Sequence, residues 1–518
     1  MKKLIYLLTI GLILLGCTDL TDVDEDGISR DVVEGGGSGI DNPAAALTGA
    51  YSQLNELTGA GETFALMEHS SDEMMGPTRG TDWSDFGVWR QLHAHIWDPA
   101  HSEVLEAWND LNAGIFRATQ VVDAQGATAR QISEARFLRA FFMFYVMDLY
   151  GQVPFRPSDA GPDDIPQVFS RTDAFDFIIE DLTNSRPNLP TLTSGADAGI
   201  ASQEAADFLL AKLYLNRAVY TSSTAENPSA GPYTFEDVDM DEVITRVQNI
   251  IDNPYTDLTS FYHNFHWDNS TLSNELIFVI DNQAGAPTAV VDPFVWTLHY
   301  NQTPRACCNG FTTISDFYGR FTDDSDIRKS AYIPDMSATT GILGGFLVGQ
   351  QYGSYNAPDS PENPLTDRGG NPLIFTEEVD LLYSNERMGI RVIKYLVNPN
   401  DYNNPGTDFI FFRYADALLM KAEAHFRKGE TGEALNIINT IRENREATPL
   451  QSLSEEAILN ERGFEMYWEG WRRNDQVRFG QFTEAWDQKE ASDPYRVLFP
   501  IPQRALDTNP NLIQNAGY

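Results

Sequence analysis

The 518-residue chain has few cysteines and few basic residues for its size. Its three cysteines, Cys17, Cys307 and Cys308, are too few for a disulfide framework and lack the spacing of a structural zinc site. Lys and Arg total 36 against 75 Asp and Glu, a formal net charge of -39, and no run of basic residues offers a place for a polyanion. We therefore expect no nucleic-acid partner.

The apolar run at the N-terminus is too short to cross a bilayer. It extends from Leu4 to Leu15, 12 residues, whereas a membrane-spanning helix needs about 20. Two lysines precede it, which is typical of a secretory signal. The four residues that end at Cys17 resemble the lipobox of bacterial lipoproteins, which implies that Cys17 is lipidated and that residues 1–16 are removed. The alternative is an ordinary signal peptide with an incidental cysteine.

The segment after Cys17 reads as a tether. Residues 18–26 are rich in Asp and resemble the surface-export signal of Bacteroidetes lipoproteins, and a glycine-rich linker follows at 35–39. Loss of the two lysines of the signal takes the net charge to -41. We predict a signal peptide at 1–16, a tether at 17–40 and a single domain at 41–518. In that domain a helical scaffold (about 41–254 and 408–518) carries a loop-rich insertion (about 255–407).

Apolar residues at helical spacing and a hydrophobic fraction of 42% indicate a mostly α globular domain. The predicted helices are 42–57, 104–124, 132–150, 173–185, 202–220, 240–252, 411–428, 431–444 and 454–479. The small and large residues around Ala422, Phe426 and Ala434 alternate as in a tetratricopeptide hairpin. Between the two helical parts the sequence turns to Gly, Pro, Asn and Asp, with strand-like pieces at 275–280 and 389–397. The expected fold is a tetratricopeptide-like helical-repeat scaffold with a large irregular insertion that contains short strands.

Four motifs, in order along the chain, resemble those of the SusD/RagB family. They are Glu134-Ala135-Arg136-Phe137-Leu138-Arg139 with Tyr150-Gly151, Arg413-Tyr414-Ala415-Asp416 with Ala422-Glu423-Ala424, Glu461-Arg462-Gly463-Phe464-Glu465 with Trp471-Arg472-Arg473, and Phe499-Pro500-Ile501-Pro502 with Asn509-Pro510-Asn511-Leu512. Ala516 stands where proline is common in the closing motif. The resemblance implies a lipid-anchored protein at the outer-membrane surface that captures poly- or oligosaccharides. It would deliver them to a TonB-dependent transporter of the SusC type, without catalysis and without a cofactor.

Two segments rich in aromatic residues are the expected glycan-binding site. Trp83 and Trp89 lie in a segment full of turn-forming residues, which is typical of a surface loop. A large aromatic side chain in such a loop is not needed for packing. The resemblance implies that the insertion contributes a second aromatic part, for which Trp296 in the segment 292–300 is our choice. The alternative for each tryptophan is a small satellite core. Trp108, early in a predicted helix, is assigned to the core.

Polar residues near these tryptophans complete the predicted site. They are Arg79, Asp82, Arg90, Tyr300 and Arg305. Arginines scattered among acids suit hydrogen bonds to hydroxyl groups, so we expect a neutral glycan, with a laminarin-type β-glucan as the first choice. Alternatives from other classes are a glycoside hydrolase that uses Asp82 and Asp85, a structural lid without glycan affinity, and a peptide-binding tetratricopeptide module.

The other chemically suggestive groups favour structural roles. Charged residues that lie among aromatic residues on the predicted helices, such as Glu465, are expected to form internal ion pairs rather than a catalytic pair. Neither the histidine pairs at 93–95 and 263–266 nor the acidic turn 323–326 has a convincing metal-ligand pattern, so we predict no metal site. The adjacent Cys307 and Cys308 either form a strained vicinal disulfide or remain free thiols.

Overall fold

The computed structural model describes residues 40–161, 164–283, 285, 294, 296–303, 308–401 and 406–518. The predictions for the signal peptide, for most of the tether, and for Cys17, Arg305 and Cys307 therefore lie outside the described residues.

The α-helices that the structure describes with defined bounds fall mainly in the two predicted helical parts. They are α1 (Pro43–Ser52), α2 (Glu62–Glu68), α3 (Val88–His93), α4 (Ser102–Val122), α5 (Ala129–Tyr150), α6 (Arg171–Ser185), α7 (Gln203–Ser222), α8 (Asp237–Ile251), α9 (Asn269–Leu272), α10 (Ser315–Tyr318), α11 (Pro334–Thr340), α12 (Tyr414–Arg427), α13 (Thr431–Asn444), α14 (Glu455–Met466), α15 (Arg472–Arg478) and α16 (Gln503–Thr508). Consecutive long helices pack on each other: α4 on α5, α5 on α6, α7 on α8 and α12 on α13. This confirms the helical-repeat scaffold.

The strands are short and form small separate antiparallel sheets. They are β1 (Val153–Phe155), β2 (Gln167–Phe169), β3 (Leu276–Ile280), β4 (Ser330–Ala331), β5 (Gly344–Leu347), β6 (Gly349–Gln350), β7 (Tyr352–Ala357), β8 (Ser360–Pro364), β9 (Ile374–Phe375), β10 (Arg391–Ile393) and β11 (Phe409–Arg413). The pairings are β1–β2, β10–β5–β4, β11–β3, β6–β9 and β7–β8. Apart from β1–β2, each pairing involves the predicted insertion or its ends. The two ends are joined by the buried pair β3–β11.

The central helix α5 shows how local sequence defines an element. Thr128 and Gln131 form a reciprocal capping box at its start, and Gly151 ends it in a left-handed conformation with φ 73°. From Phe137 to Tyr150 every residue is buried, because α4, α6 and the β3–β11 pair cover different faces of the helix. The prediction of a strongly apolar helix that stops at Gly151 is confirmed.

Two helix predictions near the C-terminus are wrong in their bounds. The helix expected at 411–428 begins at Tyr414, because the three preceding residues belong to β11. The single helix expected at 454–479 is two helices, α14 and α15, separated by a turn. In that turn Trp468 and Gly470 have φ values of 58° and 81°, outside the helical region.

Buried ion pairs connect the insertion to the scaffold, as expected for the charged helix residues. Glu465 on α14 binds three arginines from three other segments: Arg328, Arg413 and Arg445. All four side chains are fully buried. The three arginines lie outside α14, so these ion pairs hold separate segments together and do not fix the register of one helix. Among the described helices, none combines the length and the hydropathy needed to cross a membrane.

Candidate functional site

Three aromatic rings from two distant segments surround Phe311 and form one continuous patch. The ring centroid of Trp83 lies 5.7 Å from that of Trp296, with the planes inclined by 57°. Phe311 lies 5.1 Å from Trp83, 6.0 Å from Trp296 and 5.3 Å from Trp89. Phe311 is buried, whereas the three tryptophans are partly exposed and pack against the core on one side. We call Trp83, Trp89, Trp296 and Phe311 the aromatic platform.

Trp83 is held by the segment that follows Trp296. Its indole N–H donates a hydrogen bond of 2.6 Å to the carbonyl oxygen of Cys308. Its ring lies directly against Gly310, where a Cβ would come within 2.3 Å of the indole. Gly310 in turn donates its backbone N–H to the carbonyl oxygen of Trp296, at 2.7 Å. Glycine at position 310 therefore lets the two predicted aromatic segments meet.

Trp89, on α3, is oriented by the turn that precedes this helix. The indole N–H donates to the Asp85 carboxylate at 2.7 Å, and the His69 ring lies 5.0 Å from the indole. Burial lowers the pKa of His69 to about 3, so this imidazole is neutral at physiological pH. Within the described residues neither of its ring nitrogens has a hydrogen-bond partner. His69 therefore acts as a flat, uncharged support beneath the platform.

The loop between the two tryptophans carries an aromatic residue that the sequence analysis missed. Phe86 is fully exposed, and its backbone φ is 52°. Trp83, Asp85, Cys308 and Asn309 also have positive φ values, so the two platform segments hold five of the eleven such non-glycine residues in the described chain. Left-handed backbone at non-glycine residues costs about 1–3 kcal/mol each and clusters at functional sites. This clustering supports a binding role for the platform loops.

A polar network borders the platform on the side of Tyr300. The Tyr300 hydroxyl donates to Asp82 at 3.0 Å, and the Arg368 guanidinium lies 4.0 Å over the Tyr300 ring. Arg368 also pairs with Glu386 at 2.9 Å, and the same Glu386 carboxylate contacts His299 at 2.8 Å. Arg368 was absent from the predicted site because nothing in the sequence around it indicates contact with a residue 68 positions earlier. The rim thus offers hydroxyl, carboxylate and guanidinium groups beside the aromatic rings.

One of the three predicted arginines has a different role from the one expected. Arg79 is buried, and its guanidinium donates to the backbone carbonyl oxygens of Gly310, Asn385 and Met388. The expectation that Arg79 reaches sugar hydroxyls is therefore corrected: it fixes the loop. Arg90 is partly exposed and donates to the Thr78 hydroxyl. Of the eight residues predicted for the site, Arg305 alone lies outside the described residues.

Cys308, beside the platform, is disulfide-bonded. The other cysteines of the chain, Cys17 and Cys307, lie outside the described residues, and the prediction of a bridge between Cys307 and Cys308 stays a prediction. The Cys308 carbonyl is the acceptor for Trp83, so a covalent restraint acts directly on the residue that positions this indole.

Two carboxylates near the platform accept hydrogen bonds from aromatic side chains. Asp82 accepts from Tyr300 and Asp85 from Trp89, so the two carboxylates of the hydrolase alternative each bind an aromatic residue.

A separate acidic group could hold a metal ion. Among the described residues, Glu62, Glu103 and Glu106 bring carboxylate oxygens within 4.8 Å of one another. Burial, followed by the charge of Glu103, raises the pKa of Glu62 to about 7, so a proton competes with any cation for this group.

Glu68 and Glu73, two buried glutamates on either side of His69 and the residues after it, should make the stability of the fold depend on pH. Burial raises the pKa of Glu68 to about 8 and also raises that of Glu73. Backbone N–H groups of Gly470 and Trp468 donate to them. In the unfolded chain Glu68 has its ordinary pKa, about 4.3. Its contribution to stability is therefore fully present below that pH and is lost as the pH rises toward 8.

We expect Glu68→Gln to remove part of this pH dependence. The amide keeps the acceptor for Gly470 and stays neutral, so the variant should exceed wild type in stability by on the order of 3 kcal/mol at pH 8.5 and match it at about pH 4. Urea unfolding at both pH values measures the difference. Glu433→Gln, an exposed position on α13, is the control. Equal loss of stability at high pH in wild type and Glu68→Gln would contradict the assignment.

Comparison with known proteins agrees with this architecture. The family model described as "SusD family" matches residues 376–493. The starch-binding protein SusD of Bacteroides thetaiotaomicron is 26% identical over 505 residues, which covers 88% of this chain and 85% of that protein. A SusD superfamily protein from Parabacteroides distasonis has a TM-score of 0.69 at 19% identity, covering 92% of this chain and 98% of the other.

A further structural neighbour contains a bound oligosaccharide. Surface glycan-binding protein A from Bacteroides thetaiotaomicron, in complex with laminarihexaose, has a TM-score of 0.63 at 17% identity and covers 91% of this chain and 98% of that chain. At this identity the likeness concerns the fold. The family model, a relative similar over most of both lengths and the shared fold point the same way: the chain is similar to proteins of the SusD/RagB family.

Proposed function

We propose that the chain is a cell-surface glycan-binding lipoprotein, and that the aromatic platform binds the glycan. The observation that carries the proposal is the contact between Trp83 and Trp296 over Phe311, with partly exposed indoles and the fully exposed Phe86 beside them. Indole rings match the apolar C–H faces of pyranoses, and burial of that surface supplies most of the affinity. Asp82, Tyr300 and Arg368 supply hydrogen bonds to hydroxyl groups.

Charge favours a neutral glycan. The net charge of -39 repels sulfated or uronic-acid polymers unless a basic cluster receives them. At the platform rim Arg368 is paired with Glu386 and lies 3.7 Å from Asp82, so its charge is already balanced. Arg79 is buried and donates to carbonyl oxygens. Apart from Arg90, which is partly exposed and donates to the Thr78 hydroxyl, the described residues of the platform rim therefore offer no exposed, unpaired cation to an anionic polysaccharide.

Ring geometry favours a glycan that turns along its length. The Trp83 and Trp296 planes are inclined by 57°, so their faces point in different directions and suit successive sugars that are not coplanar. One relative is a starch-binding protein and one structural neighbour is bound to laminarihexaose. We propose that the ligand is a neutral glucan, with a laminarin-type β-glucan as the first choice. Several ring contacts imply that long oligosaccharides bind more tightly than short ones.

The experiment that tests the function is titration calorimetry of the protein with laminarin, amylose, alginate and a sulfated galactan. Binding to at least one neutral glucan and to neither anionic polymer is expected. Binding only to alginate or the galactan would overturn the ligand class. The same mixtures, assayed for new reducing ends, separate capture from hydrolysis: their number is expected to stay constant, and an increase would support the hydrolase alternative.

The proposal includes an anchor and a transporter. Residues 1–16 would be the cleaved signal and 17–40 the tether of the single domain that begins at residue 41. A lipid on Cys17 would anchor that domain to the outer membrane. There it would pass glycan to a TonB-dependent transporter of the SusC type. Two or more acyl chains supply stable anchoring at about 0.8 kcal/mol per buried CH₂.

Cys17→Ala is expected to move the protein from the membrane fraction to the soluble fraction, because the acceptor for the lipid is lost. Cell fractionation and immunoblotting measure this. A strain without the partner transporter is used, so that the protein cannot stay in the membrane fraction by binding to the transporter. Cys308→Ala is the matched control, since it removes a cysteine that is disulfide-bonded. Membrane retention of Cys17→Ala in that strain would refute the anchor.

A further inference from the structure

A small tyrosine-lined cavity lies in the insertion, apart from the aromatic platform. It has a volume of about 180 Å³ and is enclosed by α10, the β4–β5 pair, β6 and the start of the β7–β8 hairpin. Tyr318 and Tyr355 contribute their rings, and Lys329, Gln350 and Gln351 contribute polar groups. Pockets for drug-sized ligands usually measure about 300–1,000 Å³. This cavity is therefore of a size for one small unit, such as a single sugar ring.

The lining has the mixed character of a carbohydrate subsite. Both tyrosines are partly exposed, and Tyr355 has two further tyrosines around it, Tyr352 and Tyr332, at ring distances of 6.0 and 6.1 Å. Within the described chain the hydroxyls of Tyr318 and Tyr355 have no hydrogen-bond partner. Burial raises the pKa of both phenols, so they stay protonated and able to donate. A tyrosine that offers an apolar face and a free hydroxyl suits a pyranose.

The charges of the cavity are compensated. The Lys329 ammonium lies 2.6 Å from the Asp324 carboxylate and 5.6 Å from the centre of the Tyr318 ring. An anionic ligand would have to compete with Asp324 for Lys329. A neutral ligand needs only hydrogen bonds with the tyrosine hydroxyls and with the side-chain oxygen of Gln350, which can accept, because the Gln350 amide nitrogen already donates to the carbonyl oxygens of Gln351 and Leu365.

The cavity is connected to the loop that carries Tyr300. The amide of Gln302 contacts that of Gln351 at 3.4 Å, and the amide of Asn301 donates to the carbonyl oxygen of Thr366 at 2.6 Å. Gln351 lines the cavity, and Thr366 is two residues from Arg368 of the platform rim. The cavity and the rim of the platform therefore share hydrogen-bonded segments.

We infer that the cavity between Tyr318 and Tyr355 is a second carbohydrate subsite, which takes one sugar residue of the neutral glycan bound by the platform. The inference rests on the proposed function and adds a second point of attachment. Two linked contacts raise the affinity for a long chain without improving either contact alone. Short oligosaccharides, which occupy one place at a time, gain nothing from the second.

The test separates this subsite from the platform. Calorimetry with laminarin and with laminaritriose compares wild type, Tyr355→Ala and Tyr214→Ala, a similarly half-exposed tyrosine on α7. Tyr355→Ala is expected to weaken laminarin binding about three- to tenfold and to leave laminaritriose and the control unchanged. Equal laminarin affinity in Tyr355→Ala and wild type would overturn the subsite.

A local probe guards against indirect effects. In protein labelled with 3-fluorotyrosine, signals assigned through Tyr318→Phe and Tyr355→Phe are expected to shift on addition of laminarihexaose, also when Trp83 is replaced by alanine. Binding of laminarihexaose by wild type without a shift at either tyrosine would overturn the inference and leave the platform intact. Failure of wild type to bind laminarin, laminarihexaose or amylose would instead overturn the proposed function itself.

Discussion

Replacement of Trp83 by alanine is expected to lower glucan affinity roughly 10- to 100-fold, a loss of about 1.4–2.8 kcal/mol. Trp83 contacts both Trp296 and Phe311, so it joins the two platform segments, and large aromatic residues in such contacts contribute most to binding. Removal of its indole also removes the hydrogen bond to Cys308 and opens a space against Gly310.

Graded variants separate stacking from damage to the fold. Phe86→Ala removes a fully exposed ring, so it should cost little stability and weaken binding about three- to tenfold. Trp83→Phe keeps an aromatic face and should fall between Trp83→Ala and wild type. The control is Trp267→Ala, another partly buried tryptophan, which contacts His266 rather than the platform.

The measurement is calorimetry with laminarin and amylose, combined with thermal unfolding of each variant. Weak binding in a variant that unfolds like wild type assigns the effect to the platform. Full affinity in Trp83→Ala, Trp89→Ala and Trp296→Ala would refute the platform as the site. A loss in Trp267→Ala as large as that in Trp83→Ala would also refute it, because the effect would then be unspecific.

Much of the helical scaffold could be predicted because its pattern is local. The helix expected at 431–444 has the observed bounds of α13, and the end of α5 at Tyr150 follows from Gly151. The break between α14 and α15 was missed because no proline marks it. It depends on tertiary contacts: Trp468 donates its backbone and indole N–H groups to Glu73, 395 positions earlier.

The candidate site was predictable in its residue types but not in its geometry. Clustered tryptophans in turn-rich sequence pointed to segments that the structure brings together. The hydrogen bond of Trp83 to Cys308, across 225 positions, could not be inferred from spacing. The sequence analysis placed Arg79 in the site, yet its burial follows from backbone carbonyls more than 230 positions away. Phe86 was missed because its exposure depends on a left-handed backbone, which no residue pattern reveals.

Arg413→Met is expected to lower the free energy of unfolding by about 3–5 kcal/mol, the usual cost of removing one partner from a buried ion network. Arg413 binds Glu469 and Glu465, both at 2.7 Å, and Glu275 at 3.3 Å, with all four side chains buried. It is the last residue of β11, directly before α12, so it connects the base of the insertion to α14.

The reason for the size of this effect is charge balance. The buried network contains five carboxylates (Asp326, Glu275, Glu461, Glu465, Glu469) and five cations (Arg328, Lys394, Arg413, Arg442, Arg445). Loss of Arg413 leaves one negative charge without compensation in an interior where water cannot screen it. The cations, Arg445 first, hold the pKa of Glu465 far below its usual range, so this carboxyl stays ionised.

Urea unfolding at neutral pH measures the loss, with Arg130→Met as the matched control. Arg130 also pairs with a glutamate, at 2.8 Å, but its side chain is 55% exposed, so its loss should cost less than about 1 kcal/mol.

The double variant Arg413→Met/Glu465→Gln removes one charge of each sign. It should lose less stability than the sum of the losses in the two single variants. If the double variant is only additive, packing rather than charge balance explains the cost. If Arg413→Met unfolds within 1 kcal/mol of wild type, the network does not hold the insertion on its scaffold.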